Sequence, residues 1–200
     1  EESIKEALGL KDTPYFTISD ARERINEGDW TQRIRKVLYR PFDVRYLYWH
    51  PELFDVGRGA SSKNVMRHMF EKNVALVTSR MTKGETFAHV IATDLPVEVI
   101  SLSSKSSNNA FIFPSNYYPK AINGGALFDN QDKSVPNISA KFITELKRLT
   151  SGSNEEKLTR SSIIDTTVVR YVYAILNSNS YRKRYGSFLT VDFPRIPLPA

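Results

Sequence analysis

The sequence predicts an α+β protein, a mixed β-sheet module followed by a C-terminal helical module. Three observations carry that reading. From Ile34 to Trp49 the chain is rich in β-branched and aromatic residues with partial alternation, and Val74-Ala75-Leu76-Val77-Thr78 is an apolar run of strand length. Proline and glycine punctuate the chain from there to Pro136. Beyond Pro136 the apolar residues fall at helical spacing, as Phe142, Ile143, Leu146 and Leu149 do.

Taken in order, residues 3–10 read as a helical scrap ended by Pro14, and Ser19 caps a short helix that stops at Gly28. Strands follow near 33–39 and 44–49, with Pro41 at the bend between them. Gly57-Arg58-Gly59 opens a turn, and Ser61 or Ser62 caps a helix reaching about Lys72, with Val65 and Met69 inward. Val74–Thr78 is a buried strand; Phe87–Thr93, Val97–Leu102 and Ala110–Pro114 are further strands, and Ser103–Asn109 is a polar loop. The stretch from Pro114 to Pro136 reads as loop. Ser139 caps a helix to Leu149, Ser151–Asn154 break it, and a longer helix runs to Leu176. Tyr181–Tyr185 adds a helical turn or two before a proline-rich strap at 193–199. The organisation expected is an acidic helical lead-in at 1–29, a mixed α/β module at 30–136, and a helical module with its strap at 137–200.

Composition narrows the function. With 40% hydrophobic and 12% aromatic residues the 200-residue chain can build a core. No cysteine is present, which removes disulfides and thiolate metal sites and fits a reducing cytoplasm; His50, His68 and His89 are too scattered for a zinc site. The N-terminus lacks the basic start and apolar run of a signal peptide, and no apolar stretch approaches the roughly 20 residues of a membrane span. The expectation is a cytoplasmic protein with no membrane partner. Charge is unevenly placed. Residues 1–29 carry 4 basic and 8 acidic groups, residues 30–90 carry 11 and 5, and residues 91–200 carry 13 and 9. An acidic lead-in before a basic body suits a polyanion-binding module with its back to another domain.

No residue set has the spacing of a catalytic centre. Gly57-Arg58-Gly59-Ala60-Ser61-Ser62-Lys63 lacks the glycine a nucleotide-binding loop places directly before its lysine. A glycine turn beside Arg58, Ser61 and Lys63 can still hold a backbone phosphate, although an ordinary capped helix has the same pattern. Asn64, Arg67 and His68 are spaced to share one helical face and are types that reach base edges; a solvated amphipathic helix is the plainer account. Arg80 and Lys83 lie where a buried strand emerges into a turn, and Lys105, Asn108 and Asn109 lie in the polar loop, positions equally open to phosphate contact or plain exposure. His89 in an alternating strand reads as structural. The aromatic–arginine run at 39–49 reads as cation–π scaffold with Asp43 paired to an arginine.

The same residues resemble a known family. Leu38-Tyr39-Arg40-Pro41-Phe42-Asp43-Val44-Arg45-Tyr46-Leu47-Tyr48 is similar to the signature near the start of the C-terminal specificity region of type ISP restriction–modification enzymes. Val65–Met69, Ala75–Arg80, Phe111–Pro114, Tyr171–Ser178, Tyr181-Arg182 and Asp192–Pro199 resemble further motifs of that region in the same order, so the likeness spans about residues 30–199. It implies a DNA target-recognition domain cut from a large enzyme that carries a nuclease, a translocase and an adenine-N6 DNA methyltransferase. The parent would use S-adenosylmethionine, ATP and Mg2+; this stretch would hold no cofactor and no catalytic residue. The methyltransferase signature is absent here, since Ser115-Asn116-Tyr117-Tyr118-Pro119 has similar letters in the wrong arrangement. Double-stranded DNA and an adjacent methyltransferase domain are the implied partners. A protein–protein docking module and an RNA-binding domain remain as alternatives. The local physics of the residues centres the DNA face on the helix after Gly59.

Overall fold

The fold is described from a computed structural model, covering residues 5–7, 9, 11–14, 17–25, 30–50, 61–103, 105–119, 134–150 and 161–198. Helix α1 spans Ile18–Ile25. Its cap is Thr17, whose Oγ1 accepts the Asp20 amide, rather than Ser19; Asp12 Oδ1 accepts the Ile18 amide as well. A 3-10 turn at Trp30–Arg33 leads into the antiparallel hairpin β1 (Ile34–Arg40) and β2 (Asp43–Tyr48). The register skips one residue between Leu38 and Arg40, so Tyr39 forms a bulge beside the two-residue turn Pro41-Phe42.

Helix α2 spans only Ser61–Met66, and the chain tightens into a 3-10 turn at Arg67–Met69. The expected single helix to Lys72 stops because side chains seize the backbone there. Asn73 Nδ2 donates to the His68 carbonyl, and Phe70 packs its ring on Trp49 at 4.6 Å.

Strands β3 (Ala75–Ser79), β4 (Val90–Thr93) and β5 (Ala110–Pro114) form an antiparallel sheet in the order β4-β3-β5. All five residues of β3 are buried, as expected of a central strand covered on both faces. Period-2 alternation sends Leu76 and Val77 to opposite sides. Leu76 joins Phe87, Val90, Leu176, Tyr181 and Leu189 beneath the C-terminal helices. Val77 joins Leu38 and Val97 on the hairpin side. The result is three layers, helices, sheet and hairpin, sharing β3.

Val97–Leu102 is not a strand. Val97 makes one parallel bridge to Leu38, and then the chain turns on itself. The Glu98 carboxylate accepts the Ile100 amide, and the Glu98 and Ile100 carbonyls accept the Ser101 and Ser103 amides. Phe87–His89 also stays outside β4, which begins at Val90. Within the expected loop after Pro114, Asn116–Tyr117 (β6) pairs with Val135–Pro136 (β7).

Helix α3 spans Ala140–Thr150, capped by Ser139 Oγ on the Phe142 amide; α4 spans Ser161–Asn177 and α5 Asn179–Leu189. Helix α5 is longer than the turn or two expected. Ser178 drops into extended geometry and caps it, accepting the Tyr181 amide. Arg182 Nε reaches back to the Leu176 carbonyl at 2.6 Å, satisfying the end of α4. Tyr181 and Tyr171 hydroxyls donate to the Arg195 and Pro197 carbonyls, and Phe193 lies edge-on to Phe111 and Phe113 of β5. These contacts strap the proline-rich end across the sheet. Among the described residues no helix is long and apolar enough to cross a membrane.

Candidate nucleic-acid interface

Because β3 runs through the centre, its two ends define two loop clusters, separated by the roughly 15 Å that five extended residues span. The residues expected to contact DNA divide between them.

At the exit of β3 lie Arg80, Lys83, Lys105, Asn108 and Asn109. Asn108 is buried and does not face solvent, which corrects its placement among exposed contacts. Its Oδ1 accepts the Lys83 amide at 2.9 Å, so it fixes one polar loop to the other; its Nδ2 is buried without a partner among the described residues. The Lys83 ammonium then rests on Ser107, 3.0 Å from Oγ, with its side chain still exposed. Lys105 and Asn109 are exposed.

Glu85 holds the same loops from below. Its Oε1 accepts the Ser103 hydroxyl at 3.0 Å, and its Oε2 lies 2.9 Å from Nε2 of the buried His89. The Ser103 hydroxyl in turn accepts the Ser106 amide. The Ser106 and Ser103 hydroxyls, with His89, keep the Glu85 carboxyl below the usual carboxylate range. His89 is thus a bonded structural residue whose Nδ1 also lies 3.4 Å from the Ala88 amide.

Arg80 is exposed but pairs through Nε with Asp192 of the strap at 3.0 Å. The Phe193 amide first, then Arg80, hold the Asp192 carboxyl low.

The hairpin reaches the same region. A groove of about 680 Å³ runs between Arg40-Pro41 on one wall and Lys105, Ser106 and Ser107 on the other. Arg40 is fixed there by Glu98 at 2.6 Å, and its guanidinium lies 4.1 Å from the Tyr39 ring centroid. Arg45 lies 3.6 Å from the same ring and pairs with Asp43. The aromatic–arginine run is therefore scaffold in its contacts, and it lines the groove as well. That second role had no local signal, because the partners of Arg40 and Pro41 are more than fifty residues away.

At the entrance of β3 the picture differs. Arg67 and His68 do not project beside Asn64, because they sit in the 3-10 turn. Arg67 Nη1 donates to the Tyr118 carbonyl at 2.7 Å, and its Nε is buried without a partner among the described residues. His68 Nδ1 accepts the Tyr118 amide at 3.0 Å, and its ring lies near Tyr117 and Tyr118. Burial first, and the Arg67 charge second, lower the His68 pKa, which suits an acceptor that must stay neutral. Asn64 is exposed. Arg58 lies outside the described residues, as do the side chains of Ser61 and Lys63.

Among the described residues no three histidine or carboxylate groups gather as a metal site. What the sheet does gather is cations and small polar groups on paired loops at one end, the make-up of a recognition domain. The chain belongs to the Type ISP C-terminal specificity domain family, whose model it matches over residues 4–200. It is similar to a solved cryoEM DrdV–DNA complex, with 25% identity and a TM-score of 0.62, over 96% of this chain and 16% of that one. A nuclease-deletion mutant of the Type ISP restriction-modification enzyme LlaGI, in complex with a DNA substrate mimic, shares the fold at 22% identity and a TM-score of 0.51, over 82% of this chain and 12% of that one. No curated protein matches. The chain thus spans less than a fifth of the solved polypeptides it resembles.

Proposed function

We propose that this chain is a DNA target-recognition domain that binds duplex DNA at the exit end of β3 and presents an adenine to a methyltransferase domain elsewhere in the same polypeptide. The observation that carries the reading is membership of a specificity-domain family over residues 4–200. The likeness to a DrdV–DNA complex supports it. Lys105 on one wall of the groove, with Lys83 beside it, supplies the physical means, while Arg40 on the other wall is held by Glu98. The lysines there neutralise phosphates and set register, and Asn109 is an exposed type that reaches base edges. Base flipping and methyl transfer belong to the partner domain, with S-adenosylmethionine, ATP and Mg2+ as cofactors of the whole cytoplasmic enzyme. Phe188 and Val191, exposed beside an apolar groove of about 480 Å³ between α5 and the strap, are the surface we assign to that partner domain.

The test is anisotropy of a labelled duplex titrated at several salt concentrations. Replacing both Lys83 and Lys105 with Glu should lower affinity at least about tenfold and flatten the log–log salt slope by about 2. A double variant that binds duplex as the parent does, with the same slope, rules out this face. Preferential competition by single-stranded RNA would move the reading to the RNA-binding alternative.

A further inference from the structure

The hairpin tip carries a side chain that nothing in the fold explains. Phe42 is fully exposed, at 102% of its reference surface, and its φ is +67°. With Pro41 before it and Arg40 paired to Asp43, it occupies the third position of the four-residue turn Arg40–Asp43 in the type II sense, where a positive φ favours glycine. A phenylalanine there loses backbone stability and gains no burial. The backbone beneath it is well bonded. Arg40 and Arg45 stack on Tyr39, and the strand below is fastened through Leu38 to the Pro96 carbonyl and the Glu98 amide. The hairpin carries a surplus of basic groups, five to one acidic over residues 33–48, but beside the tip Arg40 pairs with Glu98 and Arg45 with Asp43, so among the described residues the cation left for a polyanion there is Lys105. Pro41, its neighbour, lines the groove that Lys105 borders on the far side.

We propose that Phe42 is a wedge that enters the base stack of bound duplex DNA, opening one step while the groove cations hold the flanking phosphates. Apolar side chains on a basic edge insert between base pairs in this way and kink the duplex by 20–90°. The wedge would stand on a base held by the Tyr39 stack and the Leu38 backbone bonds. Charge complementarity favours nucleic acid over a protein surface as the occupant. The inference rests on the DNA-binding reading above and adds a stacking contact to it.

The experiment uses the full polypeptide that carries this chain and a duplex recovered from a randomised pool by repeated binding to it, labelled at both ends for energy transfer. Phe42→Trp adds one tryptophan at the tip to those the full polypeptide already carries, Trp30 and Trp49 among them. Its emission should be quenched by the duplex beyond the change seen with the parent protein. Phe42→Gly removes the wedge and relieves the positive φ. It should melt higher than the parent, yet bind roughly tenfold or more weaker and lose the duplex's end-to-end shortening. Phe42→Leu should keep the shortening, and the salt slope should stay unchanged in all three. Overturning results are equally plain: parent and Phe42→Gly bending the duplex alike with equal affinity, or Phe42→Gly lowering the melting temperature of the polypeptide without touching DNA binding, which would place the tip against a protein neighbour. Failure of the parent to retain any duplex at low salt would instead remove the DNA-binding reading itself.

Discussion

The two ends of β3 are built from the same residue types and use them in opposite ways. At the entrance, Arg67, His68 and Asn73 turn inward and hydrogen-bond the 115–118 segment, so cation, ring and amide become structure. At the exit, Asn108 and Glu85 take the structural bonds, and Lys83 and Lys105 keep exposed side chains. An arginine near a basic helix is therefore no guide to function until its acceptor is known. A buried carbonyl within reach consumes a guanidinium, whereas a serine hydroxyl at the surface only positions an ammonium.

Substitutions can break this contrast. The largest effect is expected for Asn73→Ala. Asn73 is buried; its Oδ1 accepts the Ser115 hydroxyl and the Asn116 amide, and its Nδ2 donates to the His68 and Asn116 carbonyls. Several buried groups lose partners at once, so stability should fall by about 3 kcal/mol in denaturant unfolding, with the salt slope of DNA binding unchanged. Arg67→Ala removes a charged donor from one carbonyl and should cost about 1.5–3 kcal/mol, again without altering the slope. A slope that drops by about 1 would show Arg67 on a phosphate and erase the difference between the ends.

Acid should loosen the entrance first. The folded His68 pKa lies below the unfolded value of about 6.5, so the unfolded chain binds the proton more readily. Its stabilising contribution is complete above about pH 6.5 and is lost as pH falls through the folded value. Glu85, also lowered, contributes above the unfolded carboxylate value of about 4.3 and loses that contribution only below it. Protection of the Tyr118 amide, taken relative to the intrinsic exchange rate at each pH, should therefore fall on mild acidification before that of Ser106 does. The smallest effect is expected for Arg80→Ala. Its pair with Asp192 is more than half exposed on both sides, so the melting temperature should not change measurably and only the salt dependence of DNA binding should respond.

Much of the fold was legible because its signals are local. The hairpin at 34–48, the apolar β3 and the aromatic β5 follow from alternation and residue type, and Ser139 announces its helix. Segments whose fate is set by a distant partner were not. Val97–Leu102 is apolar enough for a strand, yet the Glu98 carboxylate turns it by accepting the Ile100 amide while also holding Arg40. The helix after Gly59 ends early because Asn73 takes the His68 carbonyl. Among the candidate contacts, Lys83, Lys105 and Asn109 are exposed as expected, whereas Asn108, Arg67 and His68 lie in bonds that no spacing announces.

The sequence alone determined the hairpin, β3, β5 and the main C-terminal helices, that the charge is basic beyond the first thirty residues, and which family the motifs resemble, because period, propensity and composition act over a few neighbours. The tertiary structure decided which cations remain available and that Pro41 and Lys105 share a groove. Those outcomes depend on acceptors brought together across gaps of about 25 to 112 residues, and a hydrogen bond's partner is fixed only when the chain has folded around it.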